Sequence, residues 1–179
     1  MYRRSYYRGR TAKYSNETMC VNAQTTVEKD GGDLIQAPIT VVPATTVLGN
    51  RKVKNFTLKF NSMYSIDTII GILAYVPEGT TFSTPTVTGS VQSLYEPNQN
   101  VIATFVIPPN CTRDSQGNVT SIASSIPITV SNRLARNLNT GDSIQIAFVT
   151  PNGVQAGDGA GSNPLPVIIS GTVNYSIKY

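Results

Sequence analysis

Apolar and polar residues alternate along much of this 179-residue chain with the two-residue period of a half-buried strand. Within 52–60, Phe56, Leu58 and Phe60 fall on one side and Asn55, Thr57 and Lys59 on the other. The same period runs through Ile126, Ile128 and Val130, and through Ile144, Ile146 and Phe148. It closes the chain over 167–179 with Ile169, Val173, Tyr175, Ile177 and Tyr179. Residues 68–76 (TIIGILAYV) are a continuous apolar run, which predicts a strand buried on both faces. Residues 18–29 are polar and β-branched, and stop at the turn cluster Asp30-Gly31-Gly32-Asp33; 100–107 stop at Pro108-Pro109-Asn110. These signals predict seven strands, with an eighth in either 34–42 or 86–94. Only 132–138 suggests a helical turn, and 80–99, 110–121 and 151–164 read as polar loops. Short strands joined by long polar loops, with no helices between them, predict an antiparallel sandwich or barrel.

Composition supports the same class. Thr, Val and Ile supply 54 residues against 8 Leu, and branched side chains favour a pleated surface over a helix. Charged residues make up 13% of the chain, about half of the usual ~25%. Most of the surface must therefore be neutral and polar, or covered by other chains.

The formal charge of +4 is unevenly placed. Residues 1–13 carry Arg3, Arg4, Arg8, Arg10 and Lys13 with no acid, whereas 14–179 hold nine cations against ten acids. Residues 1–16 contain no Leu, Ile, Val or Phe, so they are expected to form a disordered arm, with the folded body beginning near residues 15–18. The arm interleaves its cations with Tyr2, Tyr6, Tyr7 and Tyr14. Arginine forks match phosphate oxygens, and tyrosine rings can stack on unpaired bases. Arg3, Arg4, Arg8, Arg10 and Lys13 are the expected phosphate contacts, and Tyr6 and Tyr7 the stacking residues. A second basic stretch comprises Arg51, Lys52, Lys54 and Lys59, with Lys52 and Lys54 on one side of their strand. It reads either as a solvated strand face or as a patch that continues the arm's charge.

Catalytic chemistry is hard to assemble here. The chain has no histidine to activate its serines, and its carboxylates are scattered over loops without a pairing signature. No catalytic residue, metal site or cofactor is expected. Gly157-Asp158-Gly159-Ala160-Gly161 is followed by prolines and a strand rather than by a helix, so it does not make a phosphate-cradling turn. Cys20 and Cys111 are expected to be two reduced thiols, with a single disulfide left open. The Arg/Tyr-rich start lacks the apolar stretch of a secretory signal, and no apolar run approaches the ~20 residues of a membrane span.

The order of these parts resembles the capsid proteins of small circular single-stranded DNA viruses that encode a rolling-circle replication protein, the circovirus-like group. The resemblance is carried by the arm MYRRSYYRGR and by RKVKNFTLKF (51–60), ILAYVPEGT (72–80), LYEPNQNVI (94–102) and RLARNLNTGDSI (133–144), the last two being the most specific. It implies a single eight-stranded antiparallel jelly roll over 17–179, behind a disordered arm over 1–16. It also implies a non-enzymatic T=1 icosahedral shell of about sixty copies of the chain, with the arms inside on the single-stranded DNA genome. The implied partners are further copies of the chain, the genome, a host receptor and the nuclear import machinery. The implied locations are the virion and, during assembly, the host nucleus. Two other classes fit the residues: the coat of a satellite-type RNA virus, and a carbohydrate- or receptor-binding β-sandwich. The lack of Trp counts against the latter.

Overall fold

The computed structural model describes residues 13–25, 33–82, 87–88, 91–92, 100–114, 119–122, 126–151 and 166–178. Among them there is no helix. The strands are β1 (Ser15–Thr25), β2 (Asp33–Leu34), β3 (Ile39–Val42), β4 (Arg51–Met63), β5 (Ile69–Val76), β6 (Val87–Thr88) and β7 (Val91–Gln92). They continue with β8 (Val101–Ile107), β9 (Cys111–Arg113), β10 (Val119–Ile122), β11 (Ile128–Asn132), β12 (Arg136–Leu138), β13 (Ser143–Thr150) and β14 (Val167–Lys178).

Two antiparallel sheets carry the fold, as the alternation predicts. The first runs β1-β14-β4-β11, with β12 also on β4; the second runs β2-β13-β5-β8, with β3 also on β13. β6 with β7, and β9 with β10, form separate two-stranded ribbons. Each sheet turns one row of apolar side chains toward the other, and a single cluster including Val53, Phe56, Leu58, Ile69, Leu73, Ile146, Ile169 and Val173 fills the space between them. Polar side chains link the sheets at the margins: the Asn132 amide donates to the Ile102 carbonyl, Ser62 Oγ donates to the Pro108 carbonyl at 3.3 Å, and the Tyr175 hydroxyl donates to the Val41 carbonyl at 3.4 Å.

Three aromatic rings occupy the centre. Phe60 from the first sheet stacks on Phe105 at 5.3 Å and meets the edge of Phe148, also at 5.3 Å. The rings fit because a glycine lies beneath two of them. A Cβ on Gly71 would overlap the Phe105 ring, and a Cβ on Gly171 would overlap Phe60 and the Lys59 carbonyl. A bare strand position under an aromatic ring lets the ring lie flat on the backbone.

The unbroken run of β5 is buried on both faces, as expected. Ile69 and Leu73 face the main core, while Ile70 and Ile72 form a smaller cluster with Val149, covered by Leu34, Phe82 and Val101. Of the two places named for an eighth strand, 34–42 joins a main sheet through β2 and β3, split around Pro38. The described residues of 86–94 form the β6–β7 ribbon and join neither main sheet.

Two expectations are corrected. The helical turn over 132–138 is instead β12, which pairs Arg136 with Val53 and Leu138 with Arg51. Burial of Leu138 in the core decides the outcome. The polar loop over 110–121 contains the β9–β10 ribbon, whose alternation is too short and too polar to register in the sequence. Residues 1–12, and with them nearly all of the arm, lie outside the described residues, as do the tip of the 110–121 loop and most of 151–164.

Candidate nucleic-acid interface

The second basic stretch lies on β4, and its geometry depends on one backbone irregularity. Strict alternation would put Lys52 and Lys54 on the same side as Phe56, Leu58 and Phe60. The structure breaks the alternation at Asn55, which adopts a left-handed backbone with φ of 57°. Along β14, Asn174 pairs with Thr57 and Ser176 with Lys54, so Asn55 and Phe56 together oppose one residue. This is a β-bulge with asparagine, a residue that tolerates the left-handed region, at its turning point. Ahead of the bulge Arg51 and Val53 are buried; after it Phe56, Leu58 and Phe60 are. Lys52, Lys54, Thr57 and Lys59 consequently share the outer face.

That face is arranged in rows across the sheet. Lys52 stands directly opposite Lys178 of β14. The next row is Lys54, Ser176 and Asn16, then Thr57, Asn174 and Thr18, then Lys59, Thr172 and Cys20. The middle rows satisfy themselves: Ser176 Oγ donates to Asn16 Oδ1 at 2.8 Å, Thr18 Oγ1 to Asn174 Oδ1 at 2.6 Å, and Ser170 Oγ to Asn61 Oδ1 at 2.9 Å. The lysines differ. Lys54 Nζ lies 3.9 Å from the centroid of the Tyr14 ring. Among the described residues no carboxylate pairs with Lys52, Lys59 or Lys178. The outward positions of β1, β14 and β4 hold no acid at all; Glu17 on β1 has the opposite parity, across from Tyr175.

Arg51 does not belong to this face. It is buried, its Nη1 donates to the Pro43 carbonyl at 2.7 Å, and its Nη2 donates to the Asp142 carbonyl at 2.9 Å. Buried, with Nη1 and Nη2 each bonded to a backbone carbonyl, its guanidinium does not face an external phosphate, and it is corrected from a candidate contact to a structural residue. Lys52 and Lys54 keep outward ammonium groups, and Lys13 is exposed just ahead of β1. Arg3, Arg4, Tyr6, Tyr7, Arg8 and Arg10 lie outside the described residues. Sequence reading missed Lys178. Its signal is its place directly after Ile177, on the outward parity of the closing strand, but only the strand pairing brings it to Lys52.

The other charged cluster surrounds Asp142, which follows the turn Asn139-Thr140-Gly141 and is buried. Its Oδ2 accepts from the Tyr75 hydroxyl at 2.7 Å and from the Asn139 amide at 2.7 Å, and its Oδ1 accepts from the Glu78 amide at 3.1 Å. Burial pushes this carboxyl up, but the three hydrogen bonds and the nearby Arg51 charge outweigh it and hold the group below the usual carboxylate range. The Tyr75 hydroxyl is pushed up to about 12, first by burial and then by its bond to Asp142. The cluster locks the turn to the end of β5, and it offers no nucleophile or open coordination position. Among the described residues no three of Cys, Asp and Glu gather where a metal ion could be held. Cys20 is exposed on the outer face and Cys111 is buried, and no disulfide joins them. Among the described residues no helix is long and apolar enough to cross a membrane.

Comparison with known proteins gives no match to any family model and none to any curated protein.

Proposed function

We propose that this chain is the coat protein of a small virus, assembling through its own copies into an icosahedral shell around a single-stranded DNA genome. The observation that carries this reading is the pairing order of the strands. β2 and β3 both pair with β13, and β11 and β12 both pair with β4, so each couple counts as one interrupted strand. Eight strands then pair first with eighth, second with seventh, third with sixth and fourth with fifth. That is a long hairpin rolled into two four-stranded sheets, the order expected of a jelly roll, an architecture used by viral coats and also by lectins.

Charge favours the viral reading over the lectin one. The body is nearly neutral, which suits lateral surfaces buried against neighbouring copies. The cations concentrate in the arm, which enters the fold at β1, on the sheet that carries the lysines. Sixty arms of +5 would supply about 300 positive charges, a partial neutralisation of a genome with one charge per nucleotide. Catalysis has no part in this reading.

Electron microscopy of the purified chain tests it. Uniform particles near ~20 nm, the size expected for some sixty compact domains on a sphere, support the shell, and a monodisperse monomer overturns it. Nuclease sensitivity of the contents distinguishes DNA from the RNA of a satellite-type virus. Deleting residues 1–13 should leave the sandwich folded and empty the particles; particles that keep DNA at normal density would remove the arm's role.

A further inference from the structure

We propose that the outer face of the β1-β14-β4 sheet is itself a binding site for the phosphodiester backbone of single-stranded nucleic acid, with Lys52, Lys54 and Lys178 as its phosphate contacts and Lys59 extending it along β4. The proposal rests on the packaging role above and adds to it a structured second site that works alongside the arm.

Three observations carry it. First, Lys52 and Lys178 are directly opposed in register, an arrangement that disfavours folding when both are charged. Among the neighbouring polar side chains Ser176 pairs with Asn16 and Thr18 with Asn174, while the lysines have no counter-charge on their face. A body with only nine cations in 166 residues places four of them on this one face. Second, the bulge at Asn55 is what turns Lys52 and Lys54 outward, since unbroken alternation would carry both toward the core. Third, the spacing suits a phosphate chain. Lys52 and Lys54 are about 6.7 Å apart along the strand, and Lys178 lies about 4.8 Å across from Lys52. Lysines two residues apart on one strand face are therefore placed to meet separate phosphates of the same nucleic-acid chain.

The ligand is single-stranded rather than duplex because the site is a face and not a ridge. A strand lying on it can turn its phosphates to the lysines and its bases toward the ring of Tyr14, which already sits against Lys54. A sulfated glycan would also meet the lysines, but it has no base to stack.

The test uses the full chain. A variant with Lys52→Gln, Lys54→Gln and Lys178→Gln is compared with wild type for binding of a mixed-sequence single-stranded oligonucleotide over a range of salt. Losing three phosphate contacts should flatten the plot of log affinity against log salt by about 2 units, at ~0.7 per contact. A second variant, with Arg3, Arg4, Arg8 and Arg10 changed to Gln, should flatten it by about 3 units on its own, and the two losses should add. Thermal unfolding at low salt should show the lysine variant still cooperatively folded, because relief of the Lys52–Lys178 like-charge pair offsets the lost Lys54–Tyr14 contact. An unchanged slope in the lysine variant overturns the sheet site while leaving the arm's role standing. An unchanged slope in the arm variant, with a loss in the lysine variant, does the reverse. Loss of heparin binding with oligonucleotide binding intact would also overturn the proposal, by assigning the face to a sulfated glycan. Tighter binding of the matching duplex than of the single strand would overturn it too.

Discussion

The ammonium of Lys54 lies over the ring of Tyr14, 3.9 Å from its centroid, and so ties the residue just ahead of β1 to the third strand of the sheet. Such a contact at a partly exposed site is worth about 0.5–1 kcal/mol. Tyr14→Ala should lower stability by about that amount in urea denaturation, and Tyr14→Phe should leave it unchanged, since the ring face and not the hydroxyl makes the contact. A loss with Tyr14→Phe equal to that with Tyr14→Ala would assign the effect to the hydroxyl.

Arg51 and Lys52 are adjacent cations with opposite fates, which gives a paired prediction. Arg51→Met removes the donors that satisfy the Pro43 and Asp142 carbonyls. Stranding buried acceptors costs about 1–3 kcal/mol each, so the variant should unfold several degrees lower in a thermal scan while its salt dependence of oligonucleotide binding stays as in wild type. Lys52→Gln should do the opposite, with stability retained and the salt slope reduced. If Arg51→Met changed the slope and kept the stability, the burial of Arg51 would not describe the protein in solution.

The Tyr75–Asp142 pair makes stability depend on pH at both extremes. Asp142 titrates below its ordinary range in the folded chain. Its contribution is therefore complete above the unfolded-state value near ~3.9 and is lost as pH falls through the lower folded value. Tyr75 is pushed up to about 12. Its contribution is complete below ~10 and is lost as pH rises toward the folded value. Denaturant midpoints measured from pH 2 to 12 should show both declines in wild type. Tyr75→Phe should remove the alkaline decline and weaken the acid one, because a hydrogen bond that lowers Asp142 is gone. Identical pH profiles for wild type and Tyr75→Phe would show that the pair does not control them.

Gly71 and Phe105 should be energetically coupled. A methyl group at Gly71 enters the space of the Phe105 ring, itself stacked on Phe60. Overpacking of this kind costs about 1–3 kcal/mol, so Gly71→Ala should destabilise strongly. Phe105→Leu alone leaves a cavity and also destabilises, but the double variant should be more stable than the sum of the two changes predicts. Simple additivity would mean that the methyl group finds room elsewhere.

The strands were legible because alternation is a local property: Phe56, Leu58 and Phe60, or Ile144, Ile146 and Phe148, declare their buried side within a few residues. Two-sided burial of β5 was legible from its unbroken apolar run. Register between distant strands was not, because nothing near Lys178 in sequence points to Lys52, 126 positions earlier. The inward turn of Arg51 was hidden for the same reason, since its partners are the backbone of Pro43 and of Asp142. β12 escaped because its three residues carry only one core side chain, Leu138. The arm's chemistry rests on composition alone, since Arg3, Arg4, Tyr6, Tyr7, Arg8 and Arg10 lie outside the described residues.

The bulge at Asn55 links register to function most directly. With Asn55 in the left-handed region, glycine is the natural replacement and a β-branched residue the worst. Asn55→Gly should keep stability within a few tenths of a kcal/mol, whereas Asn55→Val should cost about 1–2 kcal/mol through the backbone alone. Deleting Asn55 is more severe. It restores strict alternation, so either Lys52 and Lys54 are driven toward the core in place of Arg51 and Val53, or Phe56, Leu58 and Phe60 are driven out of it. Neither register can be accommodated, because one buries two ammonium groups and the other empties the aromatic centre. The deletion should therefore abolish cooperative unfolding, measured by near-ultraviolet circular dichroism against temperature. A deleted chain that still unfolded cooperatively, with normal near-ultraviolet signal and an unchanged salt slope for oligonucleotide binding, would show that the lysines reach the outer face without the bulge.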